Sequence, residues 1–395
     1  ELDAYLNNFD LDTACTVTGI NREQLEKAAD YLGSATSVAI IFGRDVMGAA
    51  QAEAAIAAIA NLALVTGALH GDRGGLFPVA LKGNTQGLID AGVAAEFLPG
   101  LQDYAAARES FAKAWHCTLP EGGADAIGIL EGIEQGKIKA LYLAGANPLV
   151  GFPDNARWRK ALDKLDILVA QDILANDLTA RATVVLPGAA SSEKRGSVTA
   201  MDQRVNKLRI AVAAPGEARP DLAIISDLFA RLTGKPEPSE KTIRQEMMEL
   251  SGGYADVCQT LEQRDFCWKR PYAPADKSLV AATPELVAPQ TADLKLIVSK
   301  CPFQFGTTTT YSAANNELAP EGLIIINPED AGKLGVADGG KLKVTGPAGS
   351  ANGKVMVHEM MPVGLLAASD NFSGMNIQQI MPSRSNCVAV TAAKA

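Results

Sequence analysis

Over the first 235 residues, short runs of β-branched and apolar positions alternate with longer stretches rich in alanine and leucine. That alternation predicts strands joined by crossover helices in a mostly parallel sheet. The candidate strands are 37–42, 139–144, 167–170 and 183–186. Each is nearly all apolar, as a strand covered on both faces should be. Each also stops at a turn former or a polar group: Gly43, Gly145-Ala146-Asn147-Pro148, Gln171-Asp172 and Pro187-Gly188. Helical periodicity occupies 22–31, 49–65, 128–135, 155–165 and 221–232. Asn21 stands at the first helix as a cap, with Gln24 at the capping-box position. The pattern predicts an α/β domain over 1–235, doubly wound and Rossmann-like.

From 236 to 290 the periodicity breaks up. Pro236, Pro238, Pro271, Pro274, Pro284 and Pro289 fall here around one helical patch at 241–250, as expected of a connecting arm. Beyond it the period changes. Strand-like runs at 294–299, 323–326, 341–345, 354–358, 364–368 and 387–391 are separated by Gly, Pro, Asn and Asp. This spacing predicts a mainly β domain over 291–395, closed as a barrel.

Composition narrows the classes. The 395 residues hold 47% hydrophobic and 21% charged positions, a globular balance rather than a disordered one. Net charge is −9 and the basic residues are scattered, so no segment offers a footprint for nucleic acid. The most apolar stretch, 54–69, is interrupted by Asn61 and Thr66 and is too short for a bilayer span, which makes it a candidate buried helix and leaves no expectation of membrane insertion. Six cysteines include no Cys-x-x-Cys pair, so a reducing compartment is expected. The chain opens on Glu1 with no leader pattern, as a segment of a longer protein would.

Nucleophilic hydrolysis finds little support: there are three histidines and no Gly-x-Ser-x-Gly elbow. His116 and Cys117 are adjacent and so point apart, which does not make a metal pair. Gly353-Lys354 resembles the end of a phosphate loop, but Ala348 and Val355 break that motif and a hairpin turn accounts for the pair. The run from Gly43 to Gly48 reads equally as a phosphate cradle or a tight strand-to-helix turn. The strand ends remain. In an open α/β sheet, ligands bind beyond the carboxyl ends of the strands, where Gly145, Asn147, Gln171 and Asp172 fall. Glycine allows close backbone approach, Asn147 offers donor and acceptor, and the Asp172 carboxylate suits a ribose diol or a guanine N–H pair. Turns and caps use the same residues.

Lys139-Ala140-Leu141-Tyr142-Leu143-Ala144-Gly145-Ala146-Asn147-Pro148, then Ala170-Gln171-Asp172-Ile173, then Val184-Val185-Leu186-Pro187 with Glu193 and Gly196, resemble successive motifs of the molybdopterin oxidoreductase family. Gly83-Asn84-Thr85-Gln86-Gly87 resembles its pterin-side loop, and Pro215-Gly216-Glu217 the run into its last α/β helix. Ile326-Asn327-Pro328-Glu329-Asp330-Ala331 resembles its carboxyl-terminal dinucleotide-binding domain. The resemblance implies a double-psi β-barrel for the second domain. It also implies that Gly145, Asn147, Gln171 and Asp172 hold the guanine half of a molybdopterin guanine dinucleotide, while Asn84, Gln86 and Gly87 approach the pterin.

Departures qualify this. Iron–sulfur clusters and the metal-ligating residue belong to the family's amino-terminal half, so this segment would not be catalytic by itself. Ala200 stands where the family's Gly-Thr-x-Thr-Asn run has asparagine, and Gly306-Thr307-Thr308-Thr309-Thr310 lacks the Arg or His of formate dehydrogenases. Two branches fit. One is the NADH-quinone oxidoreductase (complex I) G subunit, in which this half is structural and has no redox centre of its own. The other is a formate dehydrogenase-like alpha subunit, in which it holds the cofactor. Either implies partner subunits of a respiratory or formate-oxidising complex, on the cytoplasmic side and peripheral to the membrane through those partners.

Overall fold

The computed structural model describes residues 7, 10–49, 51–69, 74–80, 82–251, 254, 257–268, 293–304, 306–382 and 387–395. The chain divides into one unit of residues 1–82 with 271–287 and a second of 83–270 with 288–395.

In the first unit, helices Leu11–Thr18 and Arg22–Ser34 lead into strand β1 (Ala39–Phe42). This strand pairs in parallel with β2 (Gly75–Pro78), after helices Arg44–Met47 and Ala52–Val65. The Asn21 side chain caps its helix by accepting the Glu23 N–H at 2.8 Å. Only Gly43 separates β1 from the next helix, and helix Arg44–Met47 takes up most of the run from Gly43 to Gly48. The helix expected to be buried is covered on one side only: Ala57, Asn61 and Ala63 are inside, whereas Leu62 and Val65 face out. Alanine on nearly every face leaves it no single stripe to bury.

The second unit opens with helix Thr85–Asp90 and a small hairpin of β3 (Phe97–Leu98) and β4 (Gln102–Asp103). Helix Tyr104–Trp115 follows and ends at His116 in the left-handed region, φ 53°; Cys117 beyond it is exposed. A parallel sheet then forms from β5 (Ala140–Ala144), β6 (Ile167–Asp172) and β7 (Val184–Pro187), in that order. Helices Ala126–Glu134 and Asn155–Leu162 pack on it through Leu130, Ile133, Trp158, Leu162, Leu168 and Ala170. Strands β8 (Gly196–Thr199) and β9 (Arg204–Leu208) pair antiparallel, and β10 (Phe266–Trp268) adds to β9. Much of the region expected to be a connecting arm is therefore ordered, as helices Glu240–Leu250 and Val257–Gln263 and strand β10; its four later prolines lie outside the described residues.

Seven further strands form one sheet: β11 (Lys295–Ser299), β12 (Leu323–Ile326), β13 (Lys341–Thr345), β14 (Ser350–Val357), β15 (Leu365–Ser369), β16 (Cys387–Ala389) and β17 (Thr391–Lys394). Their order is β16-β11-β15-β12-β14-β13-β17. The two edge strands, β16 and β17, are separated in the chain by Val390 alone. One residue spans only about 3.5 Å, so the sheet curls until its edges come together, as in a barrel. Leu296, Ile324, Ile326, Leu342, Val344 and Leu366, from alternate positions of β11, β12, β13 and β15, fill its inside. Gly353-Lys354 sits in the middle of β14 and not at a hairpin turn, which corrects the sequence reading. A Cβ on Gly353 would meet Ile324 Cδ1 at 2.7 Å and Met375 Sδ at 2.9 Å, so core packing accounts for the glycine.

Candidate functional site

Backbone geometry at the end of β5 places the first candidates. Gly145 takes φ +64° and donates its N–H to the carbonyl of Gln171 at 2.8 Å, stitching the ends of β5 and β6 together. Asn147 caps helix Pro148–Gly151: its Oδ1 accepts the Leu149 N–H at 2.9 Å and its Nδ2 donates to Asp177 Oδ1 at 3.0 Å. Asp177 Oδ2 accepts from Arg159 Nη2 at 2.7 Å. Burial works to raise the pKa of Asp177, but the hydrogen bonds from Asn147 and Arg159 and the guanidinium charge outweigh it, so the carboxyl lies below its ordinary value.

Gln171 is 2% exposed and fully engaged: its Oε1 accepts the Tyr142 hydroxyl, and its Nε2 donates to Asp221, which also pairs with Lys194. Asp172 turns its carboxylate back on its own loop, accepting the Ile173 N–H at 2.7 Å and Asn176 Nδ2 at 2.8 Å. Glycine, amide and carboxylate here build the strand-end loops before they can meet any ligand.

Asn84, Gln86 and Gly87 belong to the turn and first residues of helix Thr85–Asp90. Asn84 Oδ1 accepts the Thr199 N–H at 3.0 Å, and Gln86 Nε2 donates to the buried Asp90 at 2.8 Å. Gly87 fits against them, because a Cβ there would collide with Asn84 Oδ1.

A cavity of about 1020 Å³ opens where the α/β part of this unit meets the barrel. Asn147, Arg159 and Asp177 line it from one side; Gln304, Thr307, Lys354, Asn371 and Gln378 line it from the other. Gly145, Gln171, Asp172, Asn84, Gln86 and Gly87 do not. Cross-links hold the two sides together: the Tyr311 hydroxyl donates to the Ala175 carbonyl at 2.7 Å, and the Asp154 N–H to the Gln378 carbonyl at 2.9 Å. Asn371 takes φ 70° and donates its Nδ2 to the Gly306 carbonyl at 2.8 Å. Gln304 donates to Asn316 at 2.7 Å, while its own Oε1, buried, has no partner among the described residues. Lys354 pairs with Glu321 at 2.6 Å.

Sequence reasoning reached Asn147 but missed the barrel side. Polar residues crowded around buried strand ends, such as Asp370, Asn371, Asn376 and Gln378, were the available signal. Chemically, the lining offers carboxamides that donate and accept, threonine hydroxyls, and the cations Arg159, Lys341 and Lys354, with the carboxylates Asp177 and Glu321 paired to the first and the last. Its size matches a nucleotide-scale ligand. Carboxamides complement the edge of a heterocyclic base, and lysine and arginine complement phosphate. No group of three His, Cys, Asp or Glu suited to a metal occurs among the described residues. No helix among them is long and apolar enough to cross a membrane.

Comparison with known proteins gives the same outline. A profile described as molybdopterin oxidoreductase matches residues 20–231, and one described as molybdopterin dinucleotide binding domain matches 294–395. The NADPH-Fe(3+) oxidoreductase subunit alpha of Geobacter sulfurreducens is 38% identical over 100% of this chain and 46% of its own length. The formate dehydrogenase 1 subunit alpha of Methanococcus maripaludis is 28% identical, over 91% of this chain and 56% of its own. An NADH-quinone oxidoreductase G subunit of Rhizobium meliloti is 28% identical, over 94% and 44%. The chain thus spans about half the length of these relatives. Acetylene hydratase from Pelobacter acetylenicus superposes with a TM-score of 0.74 at 14% identity, covering 99% of this chain and 65% of that one, a likeness of fold.

Proposed function

This chain belongs to the molybdopterin oxidoreductase family, and from that premise we propose that it is the part of an electron-transfer oxidoreductase subunit that grips the dinucleotide end of a molybdopterin cofactor. The observation carrying this reading is the cavity between the α/β part and the barrel, with its carboxamide, hydroxyl and cationic lining. The residues fit the group. In our reading Asn147 and Asn371 meet the guanine base or ribose, the Gln304 Oε1 that has no partner among the described residues is a further acceptor near that end, and Arg159 and Lys354, held by Asp177 and Glu321, face the diphosphate. Gly145, Gln171 and Asp172 serve the same end by holding the loop that presents Asn147, and Asn84, Gln86 and Gly87 form the loop on the pterin side. When bound, molybdopterin supplies a metal centre that exchanges electrons with a substrate. The chain's own part is to orient that cofactor and to keep its polar end in a fixed hydrogen-bonding frame. The parallel pairs β11–β15 and β12–β14 within an otherwise antiparallel sheet support the double-psi form of the barrel.

The relatives are named as subunits, which supports partner subunits of a respiratory or formate-oxidising complex, with any membrane association made through those partners. A second reading, a structural part of a complex I-type G subunit with no redox centre of its own, is favoured by Ala200 at the family's asparagine position and by the short helix Thr307–Tyr311 without Arg or His.

Titration calorimetry with GDP as a surrogate separates the two. The cofactor reading expects saturable binding with a dissociation constant on the order of micromolar, weakened about tenfold by Lys354→Met. A folded chain that takes up no GDP at millimolar concentration supports the structural reading instead.

A further inference from the structure

Asn155 is 0% exposed and does not line the cavity, yet its side chain reaches two segments that do. Its Nδ2 donates to the Leu149 carbonyl at 3.0 Å and to Asn376 Oδ1, and its Oδ1 accepts from Asn376 Nδ2 at 3.4 Å. Leu149 belongs to the short helix that Asn147 caps, and Asn376 to the barrel turn that runs on into Gln378. Arg159 stands one turn further along the helix that Asn155 begins. Three pieces of the lining, drawn from both walls, therefore meet at one buried carboxamide. The neighbouring backbone adds a second tie, from the Asp154 N–H to the Gln378 carbonyl.

The backbone at this junction is strained. Asp154 takes φ 53° and Asn376 φ 47°, in the left-handed region that residues other than glycine seldom occupy. Such conformations persist where surrounding contacts over-determine them, and they gather at ligand sites. The side chain is specific too, because a carboxamide donates twice and accepts at once. Aspartate of the same shape would turn a carboxylate oxygen toward the Leu149 carbonyl, and leucine would leave every one of these bonds unmade.

We infer that Asn155 is a positioning residue: through Asn376 it fixes the spacing of the α/β wall and the barrel wall, and with it the affinity of the cavity for a nucleotide. The inference rests on the reading of the cavity as a nucleotide site. Other residues make the ligand contacts, and their precision depends on the support behind them. Misplacement by about 1 Å behind a site can cost about two orders of magnitude, so loss of one tie among several predicts about tenfold.

The test combines titration calorimetry with GDP and hydrogen exchange at the Asp154 amide, both on the whole chain. Asn155→Ala should weaken GDP binding about tenfold. Asn376→Gly removes the partner carboxamide while suiting the positive φ. It should weaken binding by a similar factor and speed exchange at Asp154 about tenfold, leaving the amides of β13 unchanged. Asn376 also lines the cavity, and the double variant separates support from contact. Losses that pass through one bond do not add, so the double variant should bind within about twofold of the weaker single one. Losses that multiply to about a hundredfold would make Asn376 a direct contact and overturn the inference. So would a folded Asn155→Ala chain that binds GDP as the parent does. Exchange that is unchanged at Asp154 in Asn376→Gly, or that speeds equally at Asp154 and in β13, overturns it as well. If Asn155→Ala does not fold, Asn376→Gly decides by the same exchange. If the parent takes up no GDP, the cofactor reading falls and exchange alone decides: faster at Asp154 upholds the junction, unchanged overturns it. GDP binding with unchanged exchange keeps the cofactor reading and removes this one.

Discussion

The side-chain oxygen of Asn84 accepts the backbone N–H of Thr199 at 3.0 Å, a bond between positions 115 residues apart. Thr199 is buried, so its amide has no ready substitute in water. Asn84→Ala should therefore cost about 1–3 kcal/mol, the penalty for an orphaned buried donor. Urea unfolding followed by circular dichroism measures it. A loss below a few tenths of a kcal/mol would show that the bond does not anchor the helix to β8.

Asp370 offers a harsher version of the same argument. It is 2% exposed, and its Oδ2 accepts from Lys300 Nζ at 2.6 Å and Gln378 Nε2 at 3.1 Å. Lys300→Met leaves that carboxylate without its cation and should cost about 3–5 kcal/mol. Adding Asp370→Asn to the same chain removes the charge and should restore part of the loss. Equal midpoints for the single and double variants in guanidinium would contradict this.

Asp177 makes a prediction about pH. Its folded pKa lies below the ordinary aspartate value because of Asn147 and Arg159. A depressed folded pKa gives stability that is complete above the unfolded value, about 3.9, and is lost as pH falls through the folded one. The stability difference between the parent and Asp177→Asn should thus be flat from neutral pH down to about 5 and shrink only in stronger acid. Thermal melts across that range test it; a difference that fades near pH 6.5 would point to a histidine instead.

Gly353→Ala distinguishes packing from phosphate binding. The added methyl would press on Ile324 and Met375, so a loss of about 1–3 kcal/mol is expected. GDP affinity of the folded variant should stay within about twofold. A stable variant with lost affinity would return Gly353 to the ligand.

Much of the fold was legible because it is local. Strands 323–326 and 341–345 coincide with Leu323–Ile326 and Lys341–Thr345, where apolar alternation and flanking Gly, Asn and Pro act within a few residues. Asn21 was readable as a cap for the same reason. Helix Val257–Gln263 and strand β10 were not, because what orders them is packing with Val205, distant in sequence. The end of the chain was read as one strand, 387–391, where the structure has two, since nothing in that run announces that its halves pair with different neighbours. At the candidate site the same divide holds. Asn147 was visible beside its strand, whereas Arg159, Gln304 and Asn371 converge on it only through tertiary structure.

The seam of the barrel carries a kinetic consequence. β11, at the start of that domain, pairs with β15 and β16, and β17 pairs with β13, so its first strand finds no neighbour until β15 has been made and the sheet is not complete until the last strands are. Pairings so far apart in sequence raise contact order, and loop closure must come before any reward. The domain should therefore be a slow, all-or-none folder that waits on synthesis of its final strands, and trimming either end of it should leave an open sheet with two sticky edges in place of a smaller barrel.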